Sequence, residues 1–180
     1  KVVAEYVMPH LAHAPMEPPV AVARVADGRC IITASTQDPQ GTRVEVAKAL
    51  GLSLDAIEVH LPLLGGGFGR KSKPDFAVEA ALLAQMIPGT PIKVLWTRED
   101  DIRHGYFHTI CAAHLEASLD DSGRVTAWLH RSTFPSIMTL FQKGLRHGVP
   151  QEVSMGLVDM PFDIPNIRME NGEATAHTRI

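Results

Sequence analysis

The chain is most constrained by the glycine-rich segment at residues 65–71, which reads Gly-Gly-Gly-Phe-Gly-Arg-Lys. Glycine loses more backbone entropy on folding than any other residue, so such a run is typical where φ must be positive or where the backbone approaches another group closely. The two basic residues that end the segment, Arg70 and Lys71, suggest that this group is anionic. The pattern favours a loop that faces a ligand, and a plain tight turn is the alternative.

The spacing of this segment excludes the two common phosphate-binding loops. In a Walker A loop the lysine directly follows the second glycine, but here Arg70 separates Gly69 from Lys71. In a dinucleotide fingerprint that starts at Gly65, the third glycine is replaced by Arg70. The sequence therefore disfavours a conventional P-loop or Rossmann site.

Composition limits the class of protein. With 180 residues, 45% of them hydrophobic, the chain has the length and balance of one globular domain with a sizeable core. A net charge of -3 without a basic block gives no electrostatic footprint for nucleic acid. No apolar run reaches the roughly 18 residues of a membrane span. Cys30 and Cys111 are far apart, which supports neither a zinc knuckle nor an iron–sulfur cradle.

The middle of the chain alternates strand and helix patterns. Gly51 follows one predicted helix, Pro74 precedes another, and Thr97 is placed to cap a third. The predicted elements are strands at 29–34, 57–61 and 91–96, helices at 41–50 and 75–87, and a helix start at 97–101.

A hairpin is predicted further along. Residues 110–119 and 124–133 flank the polar turn Asp-Asp-Ser-Gly at 120–123. Crossover units combined with a hairpin indicate an α+β fold, with a mixed β-sheet and helices packed on it. We expect a core at 29–134, an irregular entry segment at 1–28, and an irregular, truncated segment at 135–180.

Several segments together resemble a known family. Their order and spacing are those of the large subunits of the molybdenum hydroxylases, the xanthine dehydrogenase and aldehyde oxidase family. The branch that the chain resembles most is the isoquinoline oxidoreductase beta subunit. The matching segments are Tyr6-x-x-Pro9, residues 13–18 (His-Ala-Pro-Met-Glu-Pro), residues 35–37 (Ser-Thr-Gln), residues 65–70 and residues 96–101 (Trp-Thr-Arg-Glu-Asp-Asp).

The resemblance implies a molybdopterin-binding domain that helps to hold molybdopterin cytosine dinucleotide with its molybdenum. It places Gln37 near the molybdenum oxo ligand, where an uncharged amide can donate a hydrogen bond. It brings the glycines close to the pterin and Phe68 close to the substrate. The cofactor-binding residues that it implies are Gln37, Gly66, Gly67, Phe68, Gly69 and Arg70.

The resemblance also implies a molybdenum-dependent oxidoreductase as the parent protein, paired with a small subunit that carries 2Fe-2S clusters. Xanthine-type members carry a glutamate where this chain has Ser72, so we expect an N-heteroaromatic or aldehyde substrate. The general-base glutamate is expected outside this chain, which makes the chain an inactive fragment by itself.

Other interpretations remain open from the residues. Arg70 and Lys71 would also suit a nucleotide-phosphate-binding module without molybdenum chemistry, and the apolar elements would suit a noncatalytic assembly module. Phe68 is equally consistent with an aromatic plug of the core. Without the glycine loop, Gln37 would be interpreted as an exposed residue at a strand-to-helix turn.

Overall fold

The computed structural model describes residues 1–140 and 142–180, which group into two compact units. One unit comprises residues 12–106, and the other comprises residues 1–11 together with 107–180. Each unit contains its own four-stranded sheet. Because two compact units can still unfold as one cooperative body, the expectation of a single domain over 1–180 stays a prediction.

The two units together contain eight strands and four α-helices within the described ranges. None of these helices has both the length and the apolar character needed to cross a bilayer. The elements are β1 (Val2–Met8), β2 (Val20–Ala26), β3 (Arg29–Ala34), α1 (Pro39–Leu50), β4 (Ile57–His60), α2 (Asp75–Met86), β5 (Ile92–Leu95), α3 (Arg98–His104), β6 (Cys111–Leu119), β7 (Val125–Thr133), α4 (Pro150–Val153) and β8 (Asn166–Gly172).

The unit at 12–106 has the strand order β4-β3-β2-β5, in which β3 and β4 are parallel and the other pairs are antiparallel. Helix α1 forms the crossover between the two parallel strands. Asp38 caps its first turn by accepting a hydrogen bond from the Gly41 N–H at 2.8 Å, and Gly51 ends it in the left-handed conformation.

Helix α2 lies on β2 and β5 of the same sheet. The side that it turns inward carries mainly alanines, which are fully buried and allow the helix to approach the strands closely. These residues are Ala77, Ala80, Ala81 and Ala84, with Phe76 at the start of the helix. The core of this unit is therefore made between small residues of α2 and the alternating inward residues of β2 and β3.

The second sheet has the order β1-β6-β7-β8, with β7 and β8 parallel. Strands β6 and β7 form the hairpin predicted from the sequence. Its turn is closed by Asp120, whose carboxylate accepts hydrogen bonds from the Ser122 and Arg124 N–H groups at 2.9 and 3.0 Å. The predicted α+β class, with mixed sheets and helices packed on one of them, is confirmed.

The expectation of irregular ends is wrong for four elements. Residues 1–28 contain β1 and β2, and residues 135–180 contain α4 and β8. The prolines that suggested irregular backbone lie outside these strands: Pro9 follows β1, Pro19 precedes β2, and Pro165 precedes β8. Proline is tolerated at a strand boundary because no ladder hydrogen bond is lost there.

A row of charged side chains crosses the second sheet. The register places Glu5, His114, Arg131 and Glu170 side by side on successive strands. His114 bonds to Glu116 through Nε2 at 3.0 Å and to Glu5 through Nδ1 at 3.1 Å. These bonds, the one to Glu116 first, raise the pKa of His114 above its ordinary value.

The raised pKa gives a pH dependence with a defined sign. Because folding favours the protonated imidazole, His114 stabilises the fold below the unfolded pKa of about 6.5, and this contribution is lost as the pH rises through the folded pKa. We therefore expect His114→Gln to lower the free energy of unfolding more at pH 5.5 than at pH 8.5, as measured by urea denaturation.

His130 in the same sheet provides the control. Burial lowers its pKa, so His130→Gln should lower the free energy of unfolding more at pH 8.5 than at pH 5.5. The same pH dependence for both variants would contradict this account of the charged row.

Candidate functional site

Two loops meet at one edge of the sheet in the 12–106 unit. Since β3 and β4 are adjacent and parallel, the segments that follow them leave from the same edge. Residues 35–37 follow β3, and the glycine-rich loop follows β4. The Gly69 N–H donates a hydrogen bond to Gln37 Oε1 at 2.9 Å. The structure thus brings together the Ser-Thr-Gln segment and the glycine loop.

The bond from Gly69 fixes the orientation of the Gln37 side-chain amide. A backbone N–H can only donate, so the atom of Gln37 that it meets is the carbonyl oxygen. The Nε2 group then points elsewhere, and no described residue accepts a hydrogen bond from it. The Gln37 side chain is exposed, while its own backbone N–H is held by the Lys71 carbonyl at 2.9 Å. The result is an anchored residue with an available amide donor.

Gly67 lies directly against the Gln37 side chain. A Cβ atom at Gly67 would lie 2.4 Å from Gln37 Oε1 and 2.5 Å from Gln37 Cδ, well inside van der Waals contact. Gly66 and Gly69 have φ values of +97°, which a side chain would strain. The loop therefore uses its glycines both for close approach and for left-handed backbone.

Phe68 is held in an unusual conformation for an aromatic residue. Its φ is +53°, and its side chain is 65% exposed. Non-glycine residues with positive φ are uncommon and concentrate at functional sites. The exposure rules out the interpretation that Phe68 plugs the core. The ring is instead presented at the surface of the loop.

The Arg70 side chain lies inside the protein. It is 1% exposed and forms a double hydrogen bond with the Asp75 carboxylate, at 2.9 and 3.0 Å. The guanidinium carbon also lies 5.0 Å from the centre of the Trp96 ring and 5.5 Å from that of Tyr106. Such stacking and bidentate pairing suit a buried arginine. The interpretation that Arg70 faces an anionic ligand is wrong. The Arg70 side chain instead supports the loop from inside the protein.

Lys71 is also buried, and its ammonium is paired with the Glu17 carboxylate. Desolvation acts to raise the pKa of Glu17, but the hydrogen bonds from Lys71 and from the Gly65 N–H outweigh it, and the pKa lies below its ordinary value. Lys71 therefore does not face an anion either. With both cations directed at carboxylates of the protein, the basis for a nucleotide-phosphate site at this loop is removed.

The sequence did not reveal how residues 15–17 of the entry segment are anchored. Arg98 donates hydrogen bonds to the carbonyls of Pro15 and Met16 and pairs with Asp101 at 2.8 Å. The Glu17 carboxylate, in turn, pairs with the Lys71 ammonium. The sequence signal was the match of residues 13–18 to the family that the chain resembles, and it predicts no particular partner for Glu17.

Comparison with known proteins adds a family match. The family model described as the molybdopterin cofactor-binding domain matches residues 1–178. The chain is 38% identical over 141 residues to isoquinoline 1-oxidoreductase subunit beta of Brevundimonas diminuta, covering 72% of this chain and 18% of that protein. It is 31% identical over 134 residues to the aldehyde oxidoreductase molybdenum-binding subunit PaoC of Escherichia coli K12, covering 73% of this chain and 18% of that protein.

A solved structure gives the same indication. The crystal structure of quinoline 2-oxidoreductase from Pseudomonas putida 86 superposes with a TM-score of 0.64 at 26% identity, covering 74% of this chain and 17% of that chain. The chain thus spans less than a fifth of the length of these relatives.

Replacing Gly67 by alanine tests the contact between the loop and Gln37. The added Cβ should displace the Gln37 amide, so that the Gly69 N–H loses its acceptor. We expect hydrogen exchange of the Gly69 amide to accelerate about tenfold, with exchange at Ala80 in α2 unchanged. Introducing Gly67→Ala into a Gln37→Ala background should add no further acceleration, because the obstructed side chain is then absent. Unchanged Gly69 exchange in Gly67→Ala would contradict the contact.

Proposed function

The chain belongs to the molybdopterin cofactor-binding domain family, and we propose that the edge formed by Gln37 and the glycine loop is its wall of the cofactor site. The observation that carries the proposal is the bond between the Gly69 N–H and Gln37 Oε1, which leaves the Nε2 group as an anchored donor. A donor fixed before the ligand arrives needs no reorganisation when it binds.

The residues at this edge suit an oxygen-rich, planar cofactor. Gln37 Nε2 would donate a hydrogen bond to an acceptor atom of the bound group without adding charge. Gly66, Gly67 and Gly69 would let the backbone approach the pterin, since none of them places a side chain on the loop. Phe68, exposed in its left-handed conformation, would contact the substrate. Arg70 would act indirectly, by supporting the loop.

For the whole protein we propose an oxidoreductase that hydroxylates an N-heteroaromatic or aldehyde carbon. The named activities of the relatives, on isoquinoline, quinoline and aldehydes, support these substrate classes. When bound, the cofactor would supply the redox chemistry and oxygen derived from water. The proposed form is the cytosine dinucleotide. The role of this chain's residues is to bind and orient, with the Gln37 amide held at a defined position.

Electron transfer would be left to a small partner subunit with 2Fe-2S clusters. Such clusters are held by several cysteine thiolates, usually four. Burial raises the pKa of the Cys30 thiol to about 11 and also raises the pKa of Cys111. Cys30 and Cys111 supply only two thiols, fewer than such a cluster uses, so this chain alone would not hold one.

The proposal is tested by Gln37→Ala in the molybdenum enzyme that carries this chain. Loss of the amide donor should lower turnover per bound molybdenum about tenfold to a hundredfold, because a hydrogen bond used in the chemical step is removed. Molybdenum per subunit should stay near the wild-type value, since the backbone of the glycine loop is unchanged.

Gln40→Ala is the matched control, because Gln40 is an exposed glutamine only three residues away in α1. It should change neither turnover nor molybdenum content. Wild-type turnover in Gln37→Ala would contradict the assignment of Gln37 to the cofactor site.

A further inference from the structure

Lys71 contacts the three segments that build the candidate site. Its backbone carbonyl accepts hydrogen bonds from the Gln37 N–H and from the Thr36 hydroxyl, both at 2.9 Å. Its ammonium pairs with the Glu17 carboxylate in the entry segment. Lys71 itself directly follows the loop at 65–70. A single residue therefore joins the entry segment, the Ser-Thr-Gln segment and the glycine loop.

Glu17 closes the same arrangement from the other side. It exchanges hydrogen bonds with Gly65: the Glu17 N–H donates to the Gly65 carbonyl at 3.0 Å, and the Gly65 N–H donates to the Glu17 carboxylate at 3.3 Å. The Ser35 hydroxyl donates to the other carboxylate oxygen at 3.3 Å. Each oxygen of Glu17 is thus tied to a different loop, while Lys71 supplies the opposite charge.

Burial makes this pairing restrictive. The Lys71 side chain is fully buried, whereas the Glu17 side chain is 32% exposed. A buried ammonium without its counter-charge is strongly disfavoured, so Lys71 stays in place only while Glu17 lies against it. Any shift of Lys71 moves the carbonyl that holds the Gln37 backbone. The ion pair is therefore linked to the position of Gln37 through the Lys71 carbonyl, although the Lys71 ammonium itself is fully buried.

We propose that the buried Lys71–Glu17 pair positions Gln37. In this arrangement the position of Glu17 in the entry segment is coupled to the placement of the Gln37 amide donor. Lys71 and Glu17 are positioning residues that act through Gln37. The structural part of this inference stands on the contacts alone, and its consequence for turnover rests on the proposed function.

Hydrogen exchange in the 180-residue chain, without cofactor, tests the structural part. Lys71→Met keeps an unbranched side chain of nearly the same length and removes its charge, and Glu17→Gln removes the opposite charge. Each variant should accelerate exchange of the Gln37 and Gly69 amides about tenfold, while Ala80 and Ala84 in α2 keep their wild-type rates. Lys48→Met is the control, because Lys48 is exposed on α1 and lies 3.9 Å from Glu45, and it should change none of these rates.

The double variant distinguishes the pair from two separate effects. If Lys71 and Glu17 act as one device, the acceleration in Glu17→Gln/Lys71→Met is smaller than the product of the two single accelerations. Accelerations that multiply, or single variants with wild-type exchange at Gln37 and Gly69, would overturn the proposal. Should Lys71→Met fail to fold, Glu17→Gln decides by itself: faster exchange at both amides supports the device, and unchanged exchange overturns it.

Turnover in the molybdenum enzyme separates this inference from the proposed function. Glu17→Gln should lower turnover per bound molybdenum in the presence of Gln37 and have no further effect in a Gln37→Ala background. Faster exchange without any change in turnover would leave the positioning device intact and count against the role of Gln37 at the cofactor. A loss of turnover that persists in the Gln37→Ala background would show that Glu17 acts by another route.

Discussion

The candidate site depends on the parallel pairing of β3 and β4. Their register sets Thr33 opposite His60 at the ends of the two strands, so both chains leave the sheet at one edge. Parallel neighbours require a crossover, and α1 provides it between a capping Asp38 and a left-handed Gly51. Without this pairing, the Gln37 amide and the Gly69 N–H would not meet. Ligands of α/β-type sheets commonly bind at such an edge.

Beneath that edge lies an arrangement of buried charge. Arg70 and Lys71 are adjacent in sequence but turn to different carboxylates, Arg70 to Asp75 and Lys71 to Glu17. Buried pairs of this kind add little net stability by themselves, but breaking one leaves an uncompensated charge. They therefore favour one arrangement of the loop over others. The glycine-rich loop carries an exposed Phe68 with a strained backbone, so little apolar packing holds it. Its order therefore depends on these two ion pairs.

Sequence patterns predicted the local elements well. The hairpin turn at 120–123, the strand at 29–34 and the helix ends at Gly51 and Thr97 depend on residues near one another in the chain, and the structure contains all of them. The proximity of Gln37 to the loop, by contrast, follows from the parallel pairing of β3 and β4, which only the folded chain shows. Strands β1 and β8 were missed because their stability comes from pairing with the distant β6 and β7. No local motif reports such partners.

Charge was the harder feature to interpret. A basic residue after a glycine loop has the same sequence signature whether it meets a ligand phosphate or a buried carboxylate. The direction of Arg70 is decided by Asp75 and by the rings of Trp96 and Tyr106, and only the folded chain brings Trp96 and Tyr106 to it. The pairing of Glu17 could not be predicted either, because its partner Lys71 lies in a distant part of the sequence. The residue types indicated a ligand-facing loop, and long-range packing determined which of their side chains face outward.

A crystal structure of the cofactor-loaded protein tests the central claim most directly, through the position of the Gln37 amide. The account predicts that Oε1 still accepts from the Gly69 N–H and that Nε2 lies about 3 Å from an acceptor atom of the bound molybdopterin group, the usual hydrogen-bond distance. A loaded structure in which the cofactor lies away from the glycine loop, with Gln37 Nε2 in solvent, would contradict it.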